Sequence, residues 1–143
     1  MKSFDTVKFV ALFLSILLFT QCVDNSKKPE RIGRIDALIL YYKQCDGTLC
    51  FSAANLLFEE LSGDPLEWYQ AMAKDTVSFN RFLDDMEHLV FKPRTAYMTL
   101  EDVESMRVQV LDRLKRKKVF KEFLSMHERV IKRLEGIKVE PYK

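Results

Sequence analysis

A chain of 143 residues, 48% of them hydrophobic and only four each Gly and Pro, is too apolar for disorder and too poor in turn formers for an all-β barrel. Its length fits one domain of ordinary size. A formal charge of +2 singles out no class of partner, and three cysteines cannot all pair within one chain.

Lys2 and Lys8, slightly blunted by Asp5, precede FVALFLSILLF at 9–19, an apolar run broken by a single Ser. A membrane-spanning helix needs about 17 to 25 apolar residues, so this run suits the core of a signal peptide, typically about 7 to 15 residues, better than a permanent span. It ends in Leu17-Leu18-Phe19-Thr20-Gln21-Cys22. This stretch resembles a bacterial lipoprotein signal, in which a leucine-rich core ends in a short lipobox closed by cysteine. Phe19 and Gln21 stand where Leu and a small residue are usual, as in the relaxed boxes of spirochaetal lipoproteins. The resemblance implies that Cys22 is diacylated and becomes the mature N-terminus. It implies export, and a membrane attachment through that N-terminal lipid, with the outer membrane favoured over the inner. The alternative is a soluble secreted or periplasmic form, for which Thr20-Gln21-Cys22 is a poor cleavage site. The polar stretch VDNSKKPER that follows, with Pro29, reads as a tether able to span up to about 35 Å. The expected organisation is a signal peptide at 1–21, a tether at 22–31 and a helical domain at 32–143.

Within that domain apolar residues recur at helical spacing. Ile32, Ile35, Leu38, Ile39 and Tyr42 predict a first helix; Ala54, Leu57, Phe58 and Leu61 a second. Leu66, Tyr69 and Met72 or Ala73 predict a third, and Phe79, Phe82, Leu83, Met86, Leu89 and Val90 a fourth. Val103, Met106, Val110, Leu111 and Leu114 form a fifth stripe; Phe120, Phe123, Leu124, His127, Ile131 and Leu134 a sixth. Asp64-Pro65 reads as a cap followed by Pro at the first helical position, and Thr99 with Asp102 as a capping box. Gly63 and Gly136 mark helix ends, and Pro93 falls in the longest linker, Lys92 to Met98. The stripe slips at Arg116 to Lys118, so the last two helices are either bent there or continuous. No stretch alternates with period two. The predicted fold is an all-α, compact bundle of five or six helices.

With Cys22 assigned to lipid, Cys45 and Cys50 remain, flanking the turn signal Asp46-Gly47. In an oxidising compartment they are expected to form a structural disulfide. Free thiols are the first alternative and redox or metal chemistry the second, although C-x4-C is not the C-x-x-C of thioredoxin-like motifs.

Evidence for catalysis is sparse. His88 shares a helix face with Asp84 and Asp85, which reads as a local ion pair; the second carboxylate–histidine unit of a di-iron bundle is absent, because Leu124 stands three before His127. His127 reads as a satisfied edge residue. Glu59-Glu60 diverge by about 100° on a helix and make a poor acid–base pair. No catalytic residue, metal site or cofactor is expected. Charge is more informative: residues 34–104 hold 6 Lys/Arg against 13 Asp/Glu, a net of −7, and residues 105–143 hold 12 against 5, a net of +7. The basic half centres on Arg113, Lys115, Arg116, Lys117, Lys118 and Lys121, either a solvated face complementing the acidic half or a contact surface for an envelope protein or anionic polymer. Export disfavours nucleic acid. Tyr41 and Trp68 fall off the best stripes and are expected as exposed aromatic anchors. The function expected is that of a lipid-anchored, non-catalytic binding module, pilotin- or chaperone-like by architecture alone. The alternatives are an envelope-acting hydrolase and a binder of apolar ligands.

Overall fold

The computed structural model describes residues 33–92 and 98–141; Cys22, the segments 1–21 and 22–31, Ile32 and Pro93 lie outside the described residues. Six α-helices and no strand occur among the described residues: α1 (Arg34–Gln44), α2 (Leu49–Gly63), α3 (Pro65–Ala73), α4 (Thr76–Leu89), α5 (Leu100–Arg116) and α6 (Leu124–Gly136), the last preceded by a 3₁₀ turn at Lys121–Phe123. The all-α bundle expected from periodicity is what the chain forms.

Local chemistry sets the boundaries. The Asp64 carboxylate accepts from the backbone N–H of Leu66 (3.1 Å) and Glu67 (3.4 Å), two of the donors that a helix start leaves unpaired. Pro65 follows at the first helical position, where its missing N–H costs nothing. Asp75 caps α4 through the Ser78 N–H (3.0 Å). Both halves of the Thr99–Asp102 capping box are formed: Asp102 N–H donates to Thr99 Oγ1 (3.1 Å), and Thr99 N–H donates to Asp102 Oδ2 (2.9 Å). Between α1 and α2, Gly47 sits at φ +51°, a left-handed conformation in which a Cβ would be strained. That turn brings Cys45 and Cys50 to disulfide-bonding distance, with Cα atoms 5.1 Å apart.

Helix α2 packs against α1, α3, α4 and α5, and the α5–α6 hairpin also reaches α3 through the 3₁₀ turn. The core is aromatic. Trp68 is fully buried and meets the rings of Tyr69 (5.4 Å), Phe79 (6.0 Å) and Phe82 (5.5 Å), while Phe58 meets Phe91 edge to face at 5.0 Å. Each such side chain contributes about 1.5–3 kcal/mol on burial.

Burial of Trp68 corrects its assignment as an exposed anchor. The buried face of α3 runs through Pro65, Trp68, Tyr69 and Met72, one register away from the expected Leu66, Tyr69 and Met72 or Ala73. Leu66 is only half-buried and Ala73 is exposed. Both series share Tyr69 and Met72, and the register that wins is the one that removes the largest apolar side chain from water.

Four arginines tie separate helices together through backbone carbonyls. Arg81 of α4 donates to Tyr42 of α1 (3.1 Å), Arg113 of α5 to Ser62 of α2 (2.7 Å), Arg107 of α5 to Leu134 of α6 (2.7 Å) and Arg133 of α6 to Leu83 of α4 (2.8 Å). Tyr42, Ser62 and Leu134 lie in last turns, where helical carbonyls lack an intrahelical donor.

Candidate contact site at the bend between the last two helices

The stripe slip at Arg116 to Lys118 is a real break. Helix α5 stops at Arg116, Lys117 turns extended (φ −80°, ψ 125°) and Phe120 is still extended (φ −65°, ψ 150°). The Lys117 N–H closes the helix on the Leu114 carbonyl (3.0 Å), and the Phe123 N–H closes the 3₁₀ turn on the Phe120 carbonyl (2.9 Å). Cations suit this place, because the negative end of the α5 macrodipole points into it.

On the inner side of the bend Val119 is half-buried and Phe123 is buried, stacked on Tyr69 with centroids 6.3 Å apart. His127, one turn into α6, holds the bend to both neighbours. Its Nδ1 lies 2.9 Å from the Tyr69 hydroxyl, and its ring also bonds the Leu114 carbonyl. A neutral ring satisfies both contacts, donating to Leu114 and accepting from Tyr69. Burial lowers the His127 pKa below the ordinary histidine value, opposed by the Leu114 hydrogen bond and the Glu128 charge, and burial raises that of Tyr69. His127 is thus a satisfied residue of the interior (6% exposed) rather than of an edge.

The outer side carries the candidate site. Of the six basic residues singled out in the sequence, three are engaged within the fold. Arg113 donates to Ser62, Lys115 pairs with Glu135 across the hairpin at 2.6 Å, and Arg116 pairs with Asp112 one turn back. Lys117, Lys118 and Lys121 are exposed and have no carboxylate partner among the described residues. Between them stands Phe120, 59% exposed, with Leu124 at 46% one turn further on. Both were expected on the core stripe. The non-helical stretch 117–120, extended at Lys117 and Phe120, resets the register, and the buried residues beyond it are Phe123, His127, Val130, Leu134 and Ile137. The segment therefore places an apolar tip among free cations, with Glu122 as the one acidic residue at its edge.

Tyr41 is exposed as expected, beside Leu40 on α1. Two open grooves accompany these features: about 510 Å³ between α2 and α5, lined by Phe58, Glu59, Met106 and Arg113, and about 630 Å³ between α4 and α6, lined by Asn80, Asp84, Arg129 and Arg133. Arg129 and Arg133 are held there by the Asn80 side chain (2.7 Å) and by Glu87 (3.2 Å). Glu60 pairs with Arg34 at 2.7 Å while Glu59 faces the first groove, so the adjacent carboxylates do diverge. Asp85 accepts from Tyr42 (2.6 Å) and Arg81 (3.3 Å). Among the described residues no group of three His, Cys, Asp or Glu side chains is placed to hold a metal ion, and no helix is long and apolar enough to cross a membrane. Comparison with protein-family models, with curated proteins and with solved structures found no match.

Proposed function

We propose that this chain is an exported, lipid-anchored domain that works by contact with an anionic component of the cell envelope, without catalysis of its own. The observation that carries the reading is the outward set Lys117, Lys118 and Lys121 around exposed Phe120, on a bend whose inner side is fixed by Phe123 and His127. Export and anchoring rest on the basic start, the apolar run at 9–19 and the lipobox-like stretch ending at Cys22. Two acyl chains on Cys22 anchor stably, so no basic patch is required merely to stay at a membrane. The free lysines are therefore available for recognition.

The magnitudes are consistent with that division. Each lysine near an anionic surface contributes about 1 kcal/mol, and burial of one Phe side chain contributes about 1.5–3 kcal/mol. Alone this is a weak contact. A tether raises the local concentration of the partner and makes such a contact effective.

The test uses the full chain in neutral detergent micelles, titrated onto immobilised polyphosphate and polyglutamate. Binding is expected to weaken with salt and to fall at least about tenfold in the K117E/K118E/K121E variant. The K115Q variant, which alters a lysine already paired with Glu135, is expected to bind within about twofold of the native chain. Binding untouched by the triple reversal, or lost equally in K115Q, contradicts the assignment.

A further inference from the structure

The Cys45–Cys50 pair has surroundings that a purely structural bridge does not need. Cys50 is the second residue of α2, where the positive end of the helix macrodipole favours a thiolate. The Arg81 guanidinium is fixed beside it by three contacts. Its Nε donates to Asp85 (3.3 Å), its Nη1 donates to the Tyr42 carbonyl (3.1 Å), and its plane lies over the Tyr42 ring at 4.6 Å. Tyr42 in turn donates to Asp85 (2.6 Å). Only the Nη2 edge is left, and it faces Cys50 Sγ at 3.5 Å.

A cation beside a neutral disulfide sulfur gains a weak contact; beside a thiolate it gains an ion pair. Arg81 therefore favours the reduced state over the oxidised one. Asp85 offsets part of this field, engaged from the Nε edge and by the Tyr42 hydroxyl. The two cysteines, both buried, also differ in setting. Cys50 lies inside the helix start beside Arg81, whereas Cys45 borders the exposed turn Asp46 to Thr48 and its Sγ lies 3.0 Å from the Tyr42 carbonyl oxygen.

We propose that Cys45–Cys50 is a thiol–disulfide exchange site for dithiols, with Cys45 the sulfur attacked and Cys50 the sulfur that leaves beside Arg81. A thiolate of the dithiol bonds to Cys45 Sγ, and the Cys45–Cys50 bond breaks with its electron pair remaining on Cys50. The second sulfur of the dithiol, deprotonated, then attacks its partner in the mixed disulfide and releases Cys45 as a thiolate. The dithiol leaves as a disulfide, oxidised by two electrons, and the chain gains two thiolates that take up the two protons the dithiol lost. The spacing departs from C-x-x-C, and the leaving-group stabilisation comes from an arginine on a different helix.

The test equilibrates the full chain with glutathione redox buffers, quenches with acid, alkylates under denaturing conditions and reads each cysteine by peptide mass, so that Cys22 is scored apart. Replacing Arg81 by Gln is expected to make the bridge about tenfold harder to reduce, while Arg81→Lys, which keeps the charge, stays within about threefold of the native chain. A shift below about threefold in R81Q, or easier reduction, overturns the proposal. Should R81Q fail to fold, the pH dependence of the same equilibrium in the native chain decides. A break below the ordinary thiol value of about 8.5 is expected, and its absence overturns the proposal. In the C50S variant, glutathione is expected to be trapped on Cys45; in C45S, a Cys50 that captures it faster than Cys45 does contradicts the assigned direction.

Discussion

Trp68 is the only tryptophan, and its indole Nε1–H is buried with no hydrogen-bond partner among the described residues. An unsatisfied buried donor costs about 1–3 kcal/mol, against the larger gain from burying the ring system. Trp68→Phe removes the donor and keeps most of the packing, so we expect it to cost less than about 2 kcal/mol. Trp68→Ala should cost about 3–5 kcal/mol. Urea unfolding followed by circular dichroism separates the two, and equal losses contradict the packing described. His127 gives a pH-dependent counterpart. Its proton affinity is lowered in the folded state, chiefly by burial, so the unfolded chain takes up the proton first. Its contribution to stability is complete above the ordinary histidine pKa and is lost as pH falls through the lower folded-state value. His127→Gln, which keeps one donor and one acceptor, should flatten the loss that sets in as pH falls below the ordinary histidine value. Parallel stability curves for the two proteins contradict the assignment of a buried neutral ring.

At the scale of elements, legibility followed the density of the pattern. Helix α4 was plain, because Phe79, Phe82, Leu83 and Met86 repeat at ideal spacing and all four are buried. Helix α3 is nine residues long, and so short a stretch supports two registers; only packing against Phe79 and Phe82 selects the one that buries Trp68. The contact site was half legible. The run of basic residues and the slip at Arg116 to Lys118 were visible, but periodicity alone places Phe120 and Leu124 on the core face. Their exposure depends on four non-helical residues, extended at Lys117 and Phe120, that the pattern does not encode. Nor does composition distinguish Lys115, paired with Glu135, from Lys117, which has no carboxylate partner among the described residues. The capping devices, by contrast, are local and were read directly. Thr99→Ala, which removes the acceptor for the Asp102 N–H, should lower stability by about 1 kcal/mol in thermal or urea unfolding. No loss would mean that the box is not formed in solution.

For the whole molecule, the basic half is held to the acidic half largely through neutral acceptors. Arg113 reaches the Ser62 carbonyl at the end of α2, Arg129 and Arg133 reach the Asn80 side chain and the Leu83 carbonyl of α4, and Arg133–Glu87 (3.2 Å) is an ion pair between the two halves. The lysines left over at the bend form the surface proposed for contact. The disulfide plays a small part in stability, since a loop this short contributes only about 2 kcal/mol in the chain-entropy account. Reduction of the native chain should therefore lower its midpoint of unfolding while leaving its helical circular dichroism intact, and collapse of that signal contradicts a bridge that pins one corner.

Intact mass spectrometry of the protein from the membrane fraction of its own cells tests most directly the proposed lipid on Cys22 and the bond between Cys45 and Cys50. The expected result is a mature chain beginning at Cys22, heavier than the bare sequence by its acyl groups and lighter by the two hydrogens of a Cys45–Cys50 bond. An unacylated chain beginning at any other residue would contradict the anchored domain on which the proposed function rests.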